Sequence, residues 1–298
     1  MVSTSIKKIA VVGGTHGNEL TGVYLVKKFQ QFPELLQRAS FECQTFIANP
    51  HAVAANRRYI DLDLNRCFAN EDLTNLALTG YENIRAREIE QLLGSKEQSQ
   101  VDVIIDLHST TSNMGLTLLL SSKHPFNFRL AAYLSTLYPD IRVTCGIQCN
   151  QDAPMLRSLS PLGFTIEIGA IAQGILDADL FQKTELLVQA SLDYIDRFNL
   201  GNLLPVPPSL TVYQTISSVD YPRDSVGELQ AMIHPQLQSQ DYQPLHPGDP
   251  IFLTFTGEVI FYQGEEIVFP IFINEAAYYE KGIAMTFTEK QQLMIATV

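Results

Sequence analysis

The 298-residue sequence has few cysteines, few basic residues and no long apolar run. Its four cysteines, at positions 43, 67, 145 and 149, are too few for a disulfide scaffold in a chain of this length. Cys145 and Cys149 have three residues between them and no second pair nearby, which is a poor spacing for a zinc site. This pattern favours free buried thiols in a reducing compartment.

Basic residues are outnumbered, because 20 lysines and arginines stand against 32 aspartates and glutamates and give a formal net charge of −12. Phosphate binding needs a basic face, so this balance argues against nucleic acid or an anionic membrane as the main partner. No apolar run approaches the ~20 residues of a membrane-spanning helix. We therefore expect a cytoplasmic protein whose partners include no nucleic acid and no membrane. If the substrate is an anion, its site must be locally positive.

The composition is that of an ordinary globular protein, with 46% hydrophobic and 17% charged residues. Strand-like and helical segments alternate over the first two thirds of the chain. The predicted strands are 9–12, 41–48, 101–107, 116–120 and 163–168, and the predicted helices are 18–31, 81–93, 128–137 and 180–198. Such alternation predicts an α/β fold with a largely parallel sheet flanked by helices. The run 101–107, which is apolar except at Asp102 and Asp106, suits a central strand covered on both faces.

The pattern changes at three prolines, at positions 205, 207 and 208, which favour an extended connector. Short strand-like segments follow at 210–216, 250–255 and 258–262, with turn signals between them. We therefore predict two domains. Residues 1–205 would form an α/β domain, and residues 206–298 a smaller β-rich domain.

Three residues with the chemistry of metal ligands follow predicted strands. His16 and Glu19 lie in the loop after the first strand, where two intervening residues let both side chains converge on one ion. His108 follows the strand at 101–107, and open α/β sheets bind ligands at that edge. A His2Glu set leaves a fourth position for water, as in catalytic zinc sites. Two of these residues also have an ordinary interpretation: Glu19 suits the first turn of a helix, and His108 could be an N-cap-region or core histidine held by hydrogen bonds.

Glu167 lies inside an apolar strand, where a carboxylate is costly unless it is paired or near a metal ion. It is therefore a candidate for the general base that activates zinc-bound water, the alternative being an outward-facing residue on an exposed strand face. The segment 56–66 contains three arginines, and Arg157 lies ten residues before Glu167. Converging arginines would supply the positive site that an anion binder needs. Surface pairing with Asp61 and Asp63 is the ordinary alternative.

Five motifs occur in order along the chain: GGTHGNE at 13–19, NPHAVAANRRYIDLDLNR at 49–66, DLHST at 106–110, IEIG at 166–169 and NEAAYYEKG at 274–282. Together they resemble the aspartoacylase and succinylglutamate desuccinylase family, which is similar in fold to the zinc carboxypeptidases. The resemblance covers nearly the whole chain. It implies a zinc-carboxypeptidase-like mixed, largely parallel sheet, with a β-rich C-terminal domain that caps the active site.

The resemblance also implies a role for each of nine residues. It implies that one zinc ion per chain is held by His16, Glu19 and His108. It implies that Glu167 is the catalytic glutamate and that Arg58 polarises the scissile carbonyl. The substrate's carboxylates would be bound by Asn65, Arg66, Arg157 and Tyr278.

The function that the resemblance implies is zinc-dependent deacylation of N-acyl amino acids, with N-acetyl-L-aspartate cleaved to acetate and L-aspartate. The expected partner is a small anionic N-acyl amino acid, and a homo-oligomer, dimer or higher, is a further expectation. A desuccinylase or a deacylase of another N-acyl amino acid is the alternative, and a non-catalytic zinc-binding protein fits less well. Ala153 stands where members closest to the mammalian enzyme have a tyrosine, four residues before the arginine matched by Arg157, which leaves the substrate preference open.

Overall fold

The computed structural model describes residues 5–120, 122–146 and 153–295. Its α-helices are α1 (Leu20–Gln31), α2 (Pro50–Ala55), α3 (Asn70–Thr74), α4 (Tyr81–Leu93), α5 (Pro125–Leu137) and α6 (Ala178–Asn199). Its 3-10 helices are Pro33–Leu36, Leu64–Arg66, Leu156–Leu159 and Ala276–Lys281. Within these described ranges, no helix has both the length and the apolar character that crossing a bilayer requires.

The strands are short except for two in the C-terminal part. They are β1 (Lys8–Gly13), β2 (Glu42–Ile47), β3 (Val103–Ser109), β4 (Gly115–Leu120), β5 (Arg142–Cys145), β6 (Phe164–Gly169), β7 (Ser209–Val219), β8 (Ala231–Ile233), β9 (Pro250–Thr254), β10 (Val259–Phe261), β11 (Phe269–Ile271) and β12 (Met285–Met294).

Nine of these strands form one sheet, in the order β11-β12-β7-β5-β4-β6-β3-β1-β2. Its centre and one edge are mostly parallel: β1 runs parallel to β2 and β3, β3 to β6, and β5 to β4 and β7. The pairs β4–β6, β7–β12 and β11–β12 are antiparallel. The expected mixed, largely parallel sheet is therefore confirmed.

The central strands are buried on both faces because helices cover both sides of the sheet. Val11 of β1 belongs to one apolar core, together with Phe29 of α1 and Leu187 of α6. Val12 points to the opposite side, into a second core that contains Ile89 of α4. Side chains alternate between the faces of a strand, so a strand with two buried faces reads as a continuous apolar run. The interpretation of 101–107 as such a strand agrees with β3.

The C-terminal part has two components. Strands β7, β11 and β12 extend the large sheet, with β12 paired to β7 along residues 285–294. Strands β8, β9 and β10 form a separate antiparallel sheet over its own core, which includes Phe252 and Ile273. The region is thus β-rich, as expected. The division of the chain at residues 205 and 206 stays a prediction.

One expectation about the cysteines is wrong. Cys145 is disulfide-bonded, whereas Cys43 and Cys67 have free thiols. Cys149 lies outside the described residues. A low cysteine count excludes a disulfide scaffold, but it does not exclude a single bond.

Candidate active site

The predicted metal ligands meet at one edge of the large sheet because β1 and β3 are parallel. Gly13 at the end of β1 pairs with Leu107 of β3. The loop that follows β1 carries His16 and Glu19, and His108 directly follows Leu107 on β3. All three ligand candidates are buried, with 3%, 4% and 5% of their surfaces exposed.

The loop after β1 needs a glycine at position 17. A side chain there would place its Cβ 2.1 Å from the carbonyl carbon of Ala52, so the loop could not pack against α2. The Gly17 N–H donates to the carbonyl oxygen of Arg58 at 3.2 Å. This close packing brings the His16 loop and the Arg58 loop together.

Two ring nitrogens and one carboxylate converge on a single point. The Nδ1 atoms of His16 and His108 lie 3.2 Å apart. Glu19 approaches both rings, with Oε1 at 2.6 Å from Nδ1 of His16 and Oε2 at 2.9 Å from Nδ1 of His108. One ligand atom from each residue can be chosen so that all lie within 4.8 Å of one another, so the three residues could hold a metal ion.

The second nitrogen of each histidine ring, Nε2, is hydrogen-bonded to an aspartate. Nε2 of His16 donates to Asp63 at 2.9 Å, and Nε2 of His108 donates to Asp106 at 2.8 Å. A carboxylate only accepts hydrogen bonds, so each neutral ring carries its proton on Nε2 and presents a lone pair on Nδ1. Those lone pairs face the oxygens of Glu19, which is repulsive unless a cation lies among them. The donor set therefore fits Zn²⁺, for which carboxylate-bound histidines are common ligands.

The charges around the ligand set favour a cation. Burial alone would lower the pKa of His108, but the Asp106 and Glu19 carboxylates outweigh burial and hold that pKa well above its ordinary value. Burial would also raise the pKa of Glu19, but His16 and His108 bring it well below the usual range. Carboxylates that stabilise a proton on a ring also stabilise a metal ion beside it.

Glu167 lies next to His108 because β3 and β6 are parallel and in register, with these two residues paired directly. Its carboxylate accepts no hydrogen bond from the residues that the structure describes, although only 7% of the residue is exposed. Burial, with added repulsion from Glu19 and Glu275, raises the pKa of Glu167 well above its ordinary value. A buried carboxyl group with a raised pKa and no fixed partner is suited to proton transfer.

Arg58 is paired inside the site and not at the surface. It donates to Glu19 at 3.1 Å and to Asp63 at 3.3 Å. Its Nε is buried and has no hydrogen-bond partner among the described residues. The guanidinium group is thus fixed beside the candidate metal ligands, and its Nε–H is still available as a donor.

Arg66 and Arg157 form no ion pair with any described residue. Arg157 donates to the hydroxyl of Thr165 at 3.2 Å, while its Nε is buried without a partner. Burial, together with repulsion from Arg66, lowers the pKa of Arg157 to about 10, so it stays charged at neutral pH. Arg66 donates to the backbone oxygen of Asn65 at 2.7 Å. Asn65 also lines the cavity; its side-chain oxygen accepts from the N–H of Leu156 at 2.9 Å, and its amide nitrogen has no partner among the described residues.

Tyr278 reaches the same place from the C-terminal 3-10 helix. That helix is anchored by Glu275, whose Oε2 accepts hydrogen bonds from the Thr110 hydroxyl and from the Thr111 N–H, the latter at 2.7 Å. Burial raises the pKa of Tyr278 to about 12, so its hydroxyl is protonated at neutral pH and can donate a hydrogen bond. Lys281, at the end of the helix, pairs with Asp63.

A single cavity of about 270 Å³ is lined by all nine residues that the sequence singled out. Its lining also contains apolar side chains, namely Leu119, Met155, Ile271, Phe272 and Ile283. Ala153 does not line it. The carbonyl oxygen of Ala153 instead accepts hydrogen bonds from Lys96 at 3.0 Å and from Ser158 at 2.7 Å. The cavity therefore joins a metal-ligand set, a free carboxyl group and unpaired cations.

Comparison with known proteins identifies the family. Residues 5–195 match the succinylglutamate desuccinylase/aspartoacylase catalytic domain, and residues 208–290 match the AstE/AspA barrel-sandwich hybrid domain. The chain belongs to the succinylglutamate desuccinylase/aspartoacylase family. The resemblance found in the sequence is thus confirmed.

Two relatives from this family carry different names. A protein of Nostoc sp. named probable aspartoacylase is 55% identical over 286 residues, which cover 96% of this chain and 97% of the relative. A human protein named N-acyl-aromatic-L-amino acid amidohydrolase (carboxylate-forming) is 44% identical over 293 residues, which cover 96% of this chain and 91% of the relative.

The solved structures of family members agree with the fold. The crystal structure of murine aminoacylase 3 has a TM-score of 0.94 and 43% identity, with 98% of both chains covered. Succinylglutamate desuccinylase from Vibrio cholerae has a TM-score of 0.66 and 17% identity, with 98% of this chain and 86% of that chain covered. The second likeness is one of fold alone.

Sequence reasoning missed three acidic residues of this family member's site. Asp63 and Asp106 hold the two histidines, and Glu275 anchors the helix that carries Tyr278. Asp106 could have been found, because residues two apart on a strand share a face and it precedes His108 by two positions. Asp63 and Glu275 gave no such signal, since each meets its partner only through a long-range contact.

We expect the substitution Asp106→Asn to weaken zinc binding by roughly 10- to 100-fold, because it removes the charge that orients the His108 ring. Competition with a chromophoric chelator measures this affinity. Asp102→Asn is the matched control, since Asp102 directly precedes the same strand, at the end away from His108, and accepts from the N–H of Lys7 at 2.6 Å. Equal zinc affinity in the two variants would contradict a role for Asp106 in the metal site.

Proposed function

We propose that this protein is a zinc-dependent amidohydrolase that deacylates N-acyl amino acids, with N-acetyl-L-aspartate as the first substrate to test. The observation that carries the proposal is one cavity in which a His2Glu set lies beside a free buried carboxyl group and two unpaired guanidinium groups. Hydrolysis needs the His2Glu set and the carboxyl group, and the binding of an anionic substrate needs the guanidinium groups. The names of the relatives support the same reaction class.

Zn²⁺ held by His16, Glu19 and His108 would act as a Lewis acid and lower the pKa of water at its open position toward about 7. Glu167 then takes a proton from the water that attacks the amide carbonyl. The raised pKa of Glu167 suits this step, because burial makes its carboxylate a stronger base than an exposed one. Glu167 next gives the proton to the nitrogen of the leaving amino acid, as the carbon–nitrogen bond breaks.

Arg58 is the residue proposed to stabilise the negative charge that develops on the carbonyl oxygen. Its contacts with Glu19 and Asp63 fix the guanidinium group beside the metal ligands before substrate binds. A donor fixed in this way needs no reorganisation during the reaction, and removing such a donor commonly costs about 3–4 kcal/mol of transition-state stabilisation.

Four residues are proposed to hold the carboxylates of the substrate. Arg66 and Arg157 are cations without an ionic partner among the described residues, so an anion between them would offset the cost of burying their charge. The neutral donors are the Tyr278 hydroxyl and the Asn65 amide. Guanidinium groups bind carboxylates with two parallel hydrogen bonds, which would orient the substrate as well as bind it.

A second candidate substrate is an N-acyl aromatic amino acid. The apolar side chains of the cavity, including Ile271 and Phe272, favour it. Ala153, in place of a tyrosine, also removes a polar group that the resemblance assigns to the recognition of substrate. The two candidates share the metal site, the base and Arg58, and they differ only in how the amino-acid side chain is bound.

The test of the proposed function is amine release by zinc-loaded protein from four compounds: N-acetyl-aspartate, N-acetyl-glutamate, N-succinyl-glutamate and N-acetyl-tyrosine. We expect the highest kcat/KM with N-acetyl-aspartate, because two unpaired arginines match two carboxylates. Preference for N-acetyl-tyrosine would support the second candidate and overturn the first. No release from any of the four compounds would contradict deacylation of these substrates.

The substitution Glu167→Gln should leave zinc binding unchanged and lower kcat by roughly 10²- to 10⁴-fold, the usual contribution of a general base. Metal analysis of the purified variant and steady-state kinetics measure the two effects. Loss of zinc would instead place Glu167 among the ligands, and unchanged kcat would exclude it as the base.

The substitution Arg157→Ala should raise KM for N-acetyl-aspartate by roughly 10- to 100-fold, because a charge-assisted hydrogen bond contributes about 1.5–3 kcal/mol. Its effect on N-acetyl-tyrosine should be much smaller, since that substrate has only one carboxylate. An equal rise in KM for both substrates would indicate that Arg157 binds the α-carboxylate, which both substrates have. An unchanged KM would remove it from the substrate site.

A further inference from the structure

The segment 57–63 carries two residues of the site but has no helix or strand of its own. Arg58 near its start contacts Glu19, and Asp63 at its end contacts His16. Between them, the side chains of Ile60 and Leu62 are 39% and 47% exposed, so apolar packing does not hold the middle of the segment. The Arg58–Asp63 hydrogen bond joins the two ends directly, but another interaction must hold the backbone between them.

That interaction is made by the carboxylate of Glu82, in the first turn of α4. Three consecutive backbone N–H groups point at it: that of Ile60 donates to Oε1 at 2.7 Å, and those of Asp61 and Leu62 donate to Oε2 at 2.9 and 3.1 Å. Glu82 is fully buried and forms no ion pair with a described residue. A buried carboxylate without a cation is costly, so these charge-assisted hydrogen bonds must offset that cost.

Two further contacts make the attachment rigid. The side-chain amide of Asn49, which caps α2, donates to Oε1 of Glu82 at 3.0 Å. In the opposite direction, Oδ2 of Asp61 accepts from the N–H of Tyr81 at 2.8 Å. The segment thus donates three backbone hydrogen bonds to Glu82 of α4, and its Asp61 carboxylate accepts one from the backbone of α4.

We propose that Glu82 is a positioning residue of the active site, acting through the segment 57–63 on Arg58 and on the Asp63–His16 pair. The proposal rests on the proposed function, since it takes Arg58 as the carbonyl-polarising group and His16 as a metal ligand. Glu82 does not line the cavity and touches no substrate. Its effect on the reaction comes from the orientation of two side chains that the segment carries.

The test is Glu82→Gln in the zinc-loaded protein. Glutamine keeps the shape of the side chain, but its amide NH2 must face N–H groups that Glu82 accepts from, so part of the attachment is lost. We expect kcat to fall about tenfold or more for the best substrate of the panel, with KM changed less than about threefold, because a small displacement of a polarising group costs rate more than binding. Zinc affinity should fall about tenfold, through Asp63 and His16.

Asp61→Ala is a second variant that should fold, because Asp61 lies at the surface, and we expect it to change kcat and zinc affinity in the same direction but less. Hydrogen exchange of a peptide covering residues 57–64 reports the attachment without any chemistry. In Glu82→Gln, the amides of residues 60–62 should exchange at least about tenfold faster.

The matched control is Ile89→Val, on the same helix and fully buried. It should lower the denaturation midpoint but leave the kcat, the zinc affinity and the exchange of residues 60–62 unchanged. If Glu82→Gln behaves like this control, Glu82 is merely structural and the proposal is wrong. If the wild-type protein neither binds zinc nor turns over any substrate, the proposed function is wrong. Unchanged hydrogen exchange of residues 60–62 in Glu82→Gln would separately overturn the positioning role of Glu82.

Discussion

The parallel register of β3 with β1 and β6 is the constraint on which the site depends. It brings the carboxyl ends of three strands to one edge, with Gly13 opposite Leu107 and His108 opposite Glu167. A shift of one residue in either pairing would turn Glu167 or His108 to the opposite face of the sheet, into an apolar core. The large apolar cores on both faces therefore help to specify the position of the polar side chains at the ends of these strands.

Electrostatics explain why so many charged groups can be buried together at this edge. Each histidine has a carboxylate behind it, Arg58 lies between two carboxylates, and Lys281 pairs with Asp63. Arg66 and Arg157 are the two arginines of this cavity that have no ionic partner among the described residues. A protein with a net charge of −12 thus has two arginines without an ionic partner in its cavity, where an anion would offset their charge.

Much of the fold and the central part of the site could be predicted from the sequence, because both leave local signals. The runs at 9–12 and 101–107 are apolar at nearly every position, and His16, Glu19 and His108 follow them closely. Other features leave no such signal. β5 has only four residues, β12 contains the charged pair Glu289 and Lys290, and apolar periodicity does not reveal that β4 runs antiparallel to β6. Glu82 is a helix-forming residue in a first turn, and nothing near it in the sequence indicates three backbone partners twenty positions earlier.

The C-terminal contacts also have a consequence for the order in which the protein is made. Thr111 and Glu275 are separated by 164 positions, and Asp63 and Lys281 by 218. A ribosome finishes the segment with the candidate metal ligands and Glu167 long before it reaches Tyr278. In the growing chain, the proposed hydrolytic groups therefore exist without the helix that completes the cavity wall. Completion of the proposed substrate site is thereby coupled to completion of the polypeptide, because an unfinished chain lacks Tyr278, one of the four residues proposed to hold the carboxylates of the substrate.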